Sequence, residues 1–422
     1  MVVCLALAAA LSGEPVLDDV NARLDWFRKA RIGMFIHWGP VSLKGTEIGW
    51  SRGAEVPVEE YDKLYLRFNP VKFDANAWMQ LAQDAGFRYV VPTARHHDGF
   101  CLWPSKLSDY TIAQTPFKRD IMGEIAGAAK RHGLAMCSYY SILDWHHPLY
   151  GTDSPGGKKP KPHPDMAAFM DYAKGQLKEL VRNYDLKMVW FDGCWEAPYT
   201  AAMATDLESY MRTLKPGLII NNRVGKVGSS GDYDTPEQRV GSFQRGRAWE
   251  TCMTLCQQWA WKPDDQLKSF PEVLRILVET VTGDGNLLLN VGPMPDGQIE
   301  PRQADRLREL GAWLRQYGDS VYGTRGGPYM NGAWGGSTCQ SKSVYLHILK
   351  WNGREVVLPA LPAKMLRFKS LTGNAVKVVQ NPQGLTVTQV GMGPVPIDTV
   401  IRLDLDKTAF DIAPIAVKTV SG

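Results

Sequence analysis

The chain lacks the features that mark several large protein classes. Its 422 residues carry a formal net charge of only +4, and the 48 basic residues are spread along the chain, so no basic surface predicts nucleic-acid binding. No GxGxxG or GxxxxGK[ST] loop follows a predicted strand, which argues against a nucleotide site. Internal repeats and low-complexity tracts are also missing. We therefore expect no nucleic-acid partner and no cofactor.

Cysteine provides no framework for disulfides or zinc. The seven Cys stand at positions 4, 101, 137, 194, 252, 256 and 339, without a CxxC pair. Cys252 and Cys256 lack matching partners at zinc-ligand spacing. Several of the cysteines lie in apolar predicted strands, so we expect buried free thiols.

The first residues are apolar and contain no basic residue. Residues 1–12 resemble the apolar region of a secretory signal, and they are too few to span a bilayer. We expect residues 1–14 to be a signal-peptide remnant and the protein to be secreted or periplasmic, without a membrane partner. A disordered apolar start is the alternative.

Apolar strands that end in polar side chains are the most informative feature that is present. Stretches with helical periodicity separate these strands, and such alternation predicts a parallel sheet with right-handed crossovers. Seven or eight strand positions precede residue 326, which favours a (β/α)8 barrel with some helices missing, and a doubly wound open sheet is the alternative. The five clearest strands are predicted at residues 32–38, 89–94, 134–141, 187–192 and 218–223.

The pattern changes near residue 327. Short alternating runs at residues 343–349 and 384–390 are separated by Gly and Pro, as in antiparallel sheets. We therefore predict an α/β protein, with a (β/α)8-like catalytic domain at residues 15–326 and a C-terminal antiparallel β-sandwich at residues 327–422.

The strand ends predict one pocket. In parallel barrels the C-terminal strand ends meet at one edge, where the chemistry is performed. Asp192, with Gly193 after it, ends one apolar strand, and others end in histidine, tyrosine or arginine. The chain also contains 14 Trp and 16 Tyr, and such rings commonly stack on the apolar faces of sugars.

Several motifs, in order along residues 25–325, resemble the α-L-fucosidases of glycoside hydrolase family 29. They are GMFIHWG at 33–39, HHDGF at 96–100, WFDG at 190–193, NR at 222–223, WETC at 249–252 and GNLLLNVGP at 285–293. The resemblance implies a (β/α)8-like domain followed by a β-sandwich. It also implies release of terminal α-L-fucose from fucosylated oligosaccharides or glycoconjugates, with retention of configuration and without a metal.

The resemblance also assigns roles to residues. It makes Asp192 the nucleophile, and a retaining glycosidase needs such a carboxylate together with a second one as acid/base. The side chains expected at the fucose are His37 and its neighbour Trp38, Glu47, Trp50, His96, His97, Tyr139 or Tyr140, and Arg223, with Trp195 and Trp261 as candidates for a wall at the C6 methyl.

Two glutamates are candidates for the acid/base. Glu237 lies in a Thr-Pro-Glu-Gln motif that resembles the subgroup preferring α-1,3/4-linked fucose, in which this loop glutamate is the acid/base. Glu250 lies in a predicted strand, where it can instead hold a hydrogen-bond network. We favour Glu237.

Two other functions remain open at this stage. The pairs His96–His97 and His146–His147 could belong to a metal-dependent hydrolase, but adjacent histidines on an extended segment point in opposite directions. A catalytically inactive fucose-binding protein is the other possibility. Nothing in the sequence indicates an oligomeric state.

Overall fold

The structure is a computed structural model that describes residues 20–226, 230–391 and 395–417. The predicted signal-peptide remnant at residues 1–14 lies outside this part of the chain. No helix in the described ranges is long and apolar enough to cross a membrane.

Strands and helices alternate through the first three quarters of the chain. The strands are β1 Ile32–Ile36, β2 Tyr89–Arg95, β3 Ala135–Ser141, β4 Met188–Asp192, β5 Ile219–Ile220, β6 Tyr233–Asp234, β7 Ala248–Thr254 and β8 Asn286–Val291. The helices are α1 Val20–Ala30, α2 Val58–Tyr61, α3 Ala75–Asp84, α4 Ile121–Arg131, α5 Met166–Asn183, α6 Ala201–Leu214, α7 Phe270–Thr282 and α8 Pro301–Tyr317.

The eight strands form one parallel sheet that closes into a barrel. Their order is β5-β4-β3-β2-β1-β8-β7-β6, and every pairing between neighbours is parallel. A parallel bridge between Asn221 and Tyr233 joins the two ends of this order. The predicted (β/α)8-like barrel is therefore confirmed, and the open doubly wound sheet is wrong.

Alternation along each strand divides the buried side chains between two layers. Because successive side chains point to opposite faces, one set packs outward against the helices and the other fills the barrel. On β4, for example, Val189 and Phe191 belong to the outer core, whereas Met188 and Trp190 belong to the inner one. Phe27 of α1 also joins the inner cluster, against the rings of Tyr89 and Tyr233. The same alternation turns Asp192 inward at the top of β4.

The region after α6 is less regular than predicted. The strand expected at residues 218–223 is shortened to Ile219–Ile220 with a single bridge at Asn221, and Asn222–Val224 forms a 3-10 turn. Residues 225–247 contain few apolar side chains, which predicts a loop, but Tyr233–Asp234 pair with β7. A two-residue strand is too short to show a period in the sequence.

Two antiparallel sheets follow the barrel and confirm the predicted β-sandwich. The strands are β9 Arg325–Gly326, β10 Gly335–Gln340, β11 Ser343–Ile348, β12 Glu355–Pro359, β13 Met365–Ser370, β14 Val376–Asn381, β15 Gly384–Gln389 and β16 Thr399–Leu405. They form a five-stranded sheet, β13-β16-β11-β10-β9, and a three-stranded sheet, β12-β15-β14. The boundary at residues 326 and 327 stays a prediction, and β9 already belongs to the larger sheet.

The thiols of the described residues are free, as the sequence predicts. Cys101, Cys137, Cys252, Cys256 and Cys339 are buried, and Cys194 is half-buried. Cys4 lies outside the described residues.

Candidate active site

A pocket opens at the C-terminal ends of the barrel strands, where parallel barrels carry their active sites. Its floor and walls combine two carboxylates, one guanidinium and two imidazoles with a majority of aromatic rings. The lining residues are Phe35, His37, Trp50, His96, Tyr139, Trp190, Asp192, Trp195, Arg223, Glu237 and Trp259.

Asp192 lies at the base of this pocket with both carboxylate oxygens engaged. Arg223 donates to Oδ1 at 2.9 Å, and the hydroxyl of Tyr139 donates to Oδ2 at 3.0 Å. Burial acts to raise the pKa of Asp192, but the charge of Arg223 and these hydrogen bonds outweigh it and leave the pKa below its ordinary value. Asp192 is therefore an ionised carboxylate in a largely dehydrated site.

The turn after Asp192 requires glycine. Gly193 has a φ of 96°, which side-chain-bearing residues rarely adopt, and a Cβ there would lie 2.4 Å from Cγ of Leu143. This sharp turn lets the chain leave the barrel directly beyond the carboxylate.

One guanidinium joins the two carboxylates of the pocket. Arg223 donates through Nη1 to Asp192 and through Nη2 to Glu237 at 2.8 Å. Its Nε donates to the hydroxyl oxygen of Thr235 at 2.9 Å. Its planar guanidinium lies over the indole of Trp190, with Cζ 4.7 Å from the ring centroid. The side chain of Glu237 is 40% exposed, so part of it faces solvent while one oxygen is bound to Arg223.

Hydrogen bonds fix the tautomers of two histidines. Nδ1 of His37 lies 2.7 Å from Oδ1 of Asn290, whose amide nitrogen donates to the carbonyl of Trp259. Because an amide oxygen only accepts, Nδ1 carries the proton and Nε2 is left as an acceptor. Burial lowers the pKa of His37 to about 3, although the bond to Asn290 acts to raise it, so the ring is neutral.

The tautomer of His97 is also fixed by a hydrogen bond. Its Nδ1 lies 2.6 Å from Oγ of Ser141, which itself donates to the carbonyl of Leu143. Nδ1 must therefore donate, and Nε2, 3.7 Å from Oδ2 of Asp192, is an acceptor. Burial lowers the pKa of His97 to about 4, against the opposing charge of Asp192. The site thus presents neutral imidazole acceptors to a ligand rich in hydroxyl groups.

Of the two tryptophans predicted for the wall, Trp195 lines the pocket and Trp261 does not, and Trp259 lines it in place of Trp261. The ring of Trp259 packs against His37 at 4.8 Å, whereas Trp261 lies outside the lining. Glu47, also outside the lining, accepts the backbone N–H groups of Trp259 and Ala260 at 2.8 and 3.0 Å. Its effect on the pocket is therefore to hold this loop. Trp259 and Trp261 are separated by a single residue, and the sequence does not show which of the two faces the pocket. Asn290, the partner of His37, was not predicted because it lies inside an apolar motif.

Two further expected contacts are corrected by the alternation of side chains along a strand. Trp38 follows the inward His37 and points outward, against Phe68 and Trp78 at 5.2 and 5.0 Å. Tyr140 follows the inward Tyr139 and packs under Arg95, so Tyr139 is the tyrosine of the pocket. Neither outward ring lines the pocket.

The two candidate glutamates lie in different places. Glu237 lines the pocket, and Glu250 is fully buried inside the barrel below it. Glu250 accepts hydrogen bonds from Tyr89 and from Nε1 of Trp190, the latter at 3.0 Å. A proton acceptor in this position has no access to solvent or to the pocket.

The histidine pairs form no metal centre. Across residues 20–226, 230–391 and 395–417, no group of three or more His, Cys, Asp or Glu side chains could hold an ion. His96 and His97 do not diverge as expected: they follow the end of β2, and their rings lie 4.2 Å apart. His146 and His147 stack on Tyr110 and Tyr172 instead.

Comparison with known proteins finds the same family throughout. The family model described as Alpha-L-fucosidase matches residues 8–319. An alpha-L-fucosidase of Branchiostoma floridae is 32% identical over 378 residues, covering 80% of this chain and 82% of the relative. The plasma alpha-L-fucosidase of Homo sapiens is 30% identical over 426 residues, covering 89% and 90%.

Solved structures show the same similarity. Alpha-L-fucosidase isoenzyme 1 from Paenibacillus thiaminolyticus superposes with a TM-score of 0.84 at 35% identity, covering 92% of this chain and 100% of that one. A family 29 alpha-L-fucosidase from Bacteroides thetaiotaomicron, solved as a trapped covalent intermediate with 2-fluoro-fucosyl fluoride, has a TM-score of 0.81 at 30% identity, covering 91% and 96%.

Proposed function

This chain belongs to the α-L-fucosidase family, glycoside hydrolase family 29, and on that premise we propose that Asp192 and Glu237 release terminal fucose by double displacement. The observation that carries the proposal is the guanidinium of Arg223, which hydrogen-bonds both carboxylates at once. It holds an ionised nucleophile and a solvent-accessible carboxyl at one pocket, as a retaining mechanism requires.

Asp192 attacks the anomeric carbon of the fucose and forms a glycosyl–enzyme ester. Its lowered pKa keeps it ionised, and Arg223 and Tyr139 hold its oxygens. The bacterial relative solved as a covalent intermediate supports such an ester in this family. Water then hydrolyses the ester, and the second inversion restores the original configuration.

Glu237 protonates the departing oxygen and later takes a proton from water. It reaches the pocket from a loop and is partly exposed, so it can exchange protons with solvent between the two steps. Its ion pair with Arg223 belongs to the free site, and the leaving group has to replace Arg223 as the partner of the protonated carboxyl. Asp192 and Glu237 should then lie roughly 5–5.5 Å apart in the reacting complex.

The pocket suits a deoxy sugar. In this proposal His37, His96 and His97 bind the hydroxyl groups. The support is that His37 and His96 line the pocket, that His97 lies 3.7 Å from Asp192, and that His37 and His97 present acceptor nitrogens. Aromatic rings on the other sides give the C6 methyl an apolar surface, for which Trp50, Trp195 and Trp259 are the candidates.

The linkage preference is part of the proposal. The Thr235–Gln238 segment resembles the motif of the subgroup that prefers α-1,3- and α-1,4-linked fucose, and this resemblance supports the same preference here. A screen of branched and linear fucosylated oligosaccharides tests this, because exclusive cleavage of α-1,2 linkages would contradict the assignment.

We also propose that the protein is exported, to the periplasm or the medium. The apolar residues 1–12 support this, and one similar protein is a plasma fucosidase. Cell fractionation followed by N-terminal sequencing of the mature protein would test it.

Hydrolysis of a nitrophenyl α-L-fucoside, followed by proton NMR, tests the reaction itself. We expect α-fucose as the first product, before mutarotation. First release of β-fucose, or loss of activity with a chelator that a divalent ion restores, would contradict the mechanism.

A further inference from the structure

A carboxylate inside the barrel is placed to control the geometry of the pocket above it. Glu250 lies on β7 with no exposed surface, and its two oxygens accept from different rings. Tyr89 donates to Oε1 and Trp190 to Oε2. Gly33 permits this arrangement, because a Cβ there would lie 2.3 Å from the ring of Tyr89.

Trp190 connects this buried carboxylate to the nucleophile. Its indole is one face of the pocket floor, two residues before Asp192 on the same side of β4. The guanidinium of Arg223 lies over this ring, and the ring of Tyr139 stacks on it with centroids 5.6 Å apart and planes 19° apart. Arg223 and Tyr139 each donate a hydrogen bond to Asp192, the first to Oδ1 and the second to Oδ2.

Resting on the proposed function, we infer that Glu250 is a positioning residue that fixes the indole of Trp190 and, through it, holds Arg223 and Tyr139 against Asp192. Its own carboxylate does not meet the substrate. A buried indole N–H without a partner is costly, so removing the acceptor would tilt the ring. Because protein interiors are close-packed, that tilt moves the groups stacked on it. A displacement of this kind at a nucleophile is sufficient to reduce turnover strongly.

Two of the hydrogen bonds that Glu250 accepts, those from Trp190 and Tyr89, offer a matched control. Tyr89 donates to the same carboxylate, but it lies at the start of β2, and its ring packs against Trp26 and Phe27 of α1. Tyr89→Phe therefore removes one hydrogen bond to Glu250 without freeing Trp190. Glu250→Gln keeps an acceptor for the indole, since its amide can donate to the hydroxyl of Tyr89.

Four variants test the inference: Glu250→Leu, Glu250→Gln, Trp190→Phe and Tyr89→Phe. The readouts are kcat on a nitrophenyl fucoside, the rate of inactivation by 2-fluoro-fucosyl fluoride, and the acidic limb of kcat/KM. We expect Glu250→Leu and Trp190→Phe to lower kcat and the inactivation rate by about 10–100-fold. Their acidic limb should move to higher pH, because Arg223 no longer stabilises ionised Asp192. Glu250→Gln and Tyr89→Phe should stay near the wild type.

A purely structural role predicts a different pattern. If activity follows thermal stability in all four variants and the acidic limb does not move, the inference is wrong. Should Glu250→Leu fail to fold, a folded Trp190→Phe with unchanged kcat and unchanged acidic limb would overturn it equally. An inactive wild type with every fucoside tested would instead contradict the proposed function, so the two failures are distinguishable.

Discussion

Arg223 sets the charge state of the site. It bonds both carboxylates, and its charge is the main influence that overcomes the effect of burial on Asp192. With Arg223→Met, the pKa of Asp192 should rise, and the acidic limb of kcat/KM should move up by roughly 1–3 pH units. The sign follows because attack requires ionised Asp192, so a higher pKa means that activity is lost at a higher pH.

The pH dependence of this variant should be measured with a nitrophenyl fucoside, whose leaving group needs no acid. Arg223→Lys, which keeps a positive charge, is the control and should give a smaller shift. An acidic limb that is identical in Arg223→Met and the wild type would refute this role.

Mutations of Glu237 and Glu250 should differ in how their effect on the rate depends on the leaving group. A sugar alcohol must be protonated as it departs, whereas nitrophenolate leaves without help. Glu237→Ala should therefore slow natural glycans by about 10²–10⁴-fold and a nitrophenyl fucoside far less. Azide should accelerate the activated substrate and give the α-fucosyl azide, because the covalent intermediate still forms.

Glu250→Ala provides the comparison for this prediction. It should harm both substrates alike and gain little from azide, because it disturbs the nucleophile rather than proton transfer. Azide rescue at position 250 and none at 237 would reverse the assignment.

The sequence predicted which residue types form the site better than it predicted which side chains point into the barrel. Asp192, His37, His96 and Arg223 line the predicted pocket. His97 is outside the lining, with Nε2 3.7 Å from Oδ2 of Asp192. Trp38 and Tyr140 were predicted at the pocket too, although their neighbours His37 and Tyr139 are the inward residues. Which of two adjacent side chains points inward depends on the register of the strand, and a wholly buried strand has no polar face to reveal it.

At the level of elements, β7 carries a titrating group in the barrel interior. Burial raises the pKa of Glu250 to about 7, against the hydrogen bonds that it accepts from three aromatic side chains. The folded state therefore holds this proton at pH values where the unfolded chain has released it. Stability is lost as pH rises from the ordinary value of about 4.5 to about 7, and the loss is complete above that.

Glu250→Gln cannot ionise and should lack this contribution. We expect its free energy of unfolding, relative to the wild type, to rise by about 2–3 kcal/mol between pH 5 and pH 8. Tyr89→Phe keeps the carboxyl and should keep a pH dependence like that of the wild type. If the free energies of unfolding of Glu250→Gln and the wild type change with pH in the same way, the pKa of Glu250 is not raised.

Long elements were predictable and short ones were not. The strands from β1 to β4 lie at the predicted positions, because each is long enough to show a pattern in the sequence. β6 was read as loop, since a two-residue strand depends on pairing with β7 rather than on its own sequence.

At the level of the whole molecule, Asp284 links the barrel to the sandwich. Asp284 stands before Gly285 and Asn286, a pattern typical of a turn, and its φ of 74° fits a turn. Its carboxylate also pairs with Arg31 at 2.8 Å and with Arg325 of β9 at 2.6 Å. Contacts between residues so distant in the chain are invisible to local sequence patterns.

Asp284→Asn keeps the shape of the side chain and tolerates the backbone conformation, but it leaves buried Arg31 without its counter-charge. We expect it to lower the free energy of unfolding by about 3–5 kcal/mol, measured by denaturant titration. Asp305→Asn, which breaks an exposed pair with Arg308, is the control and should cost less than about 1 kcal/mol. Equal losses of unfolding free energy in the two variants would contradict a larger contribution from the buried ion pair.

The central claim, that Asp192 forms the covalent intermediate, has one most direct test. The protein is treated with 2-fluoro-fucosyl fluoride, digested, and its peptides are mapped by tandem mass spectrometry. We predict a single fluorofucosyl ester on Asp192, absent from Asp192→Ala treated in the same way. An ester on Glu237 or Glu250, or continued turnover by Asp192→Ala with retained configuration, would contradict the mechanism.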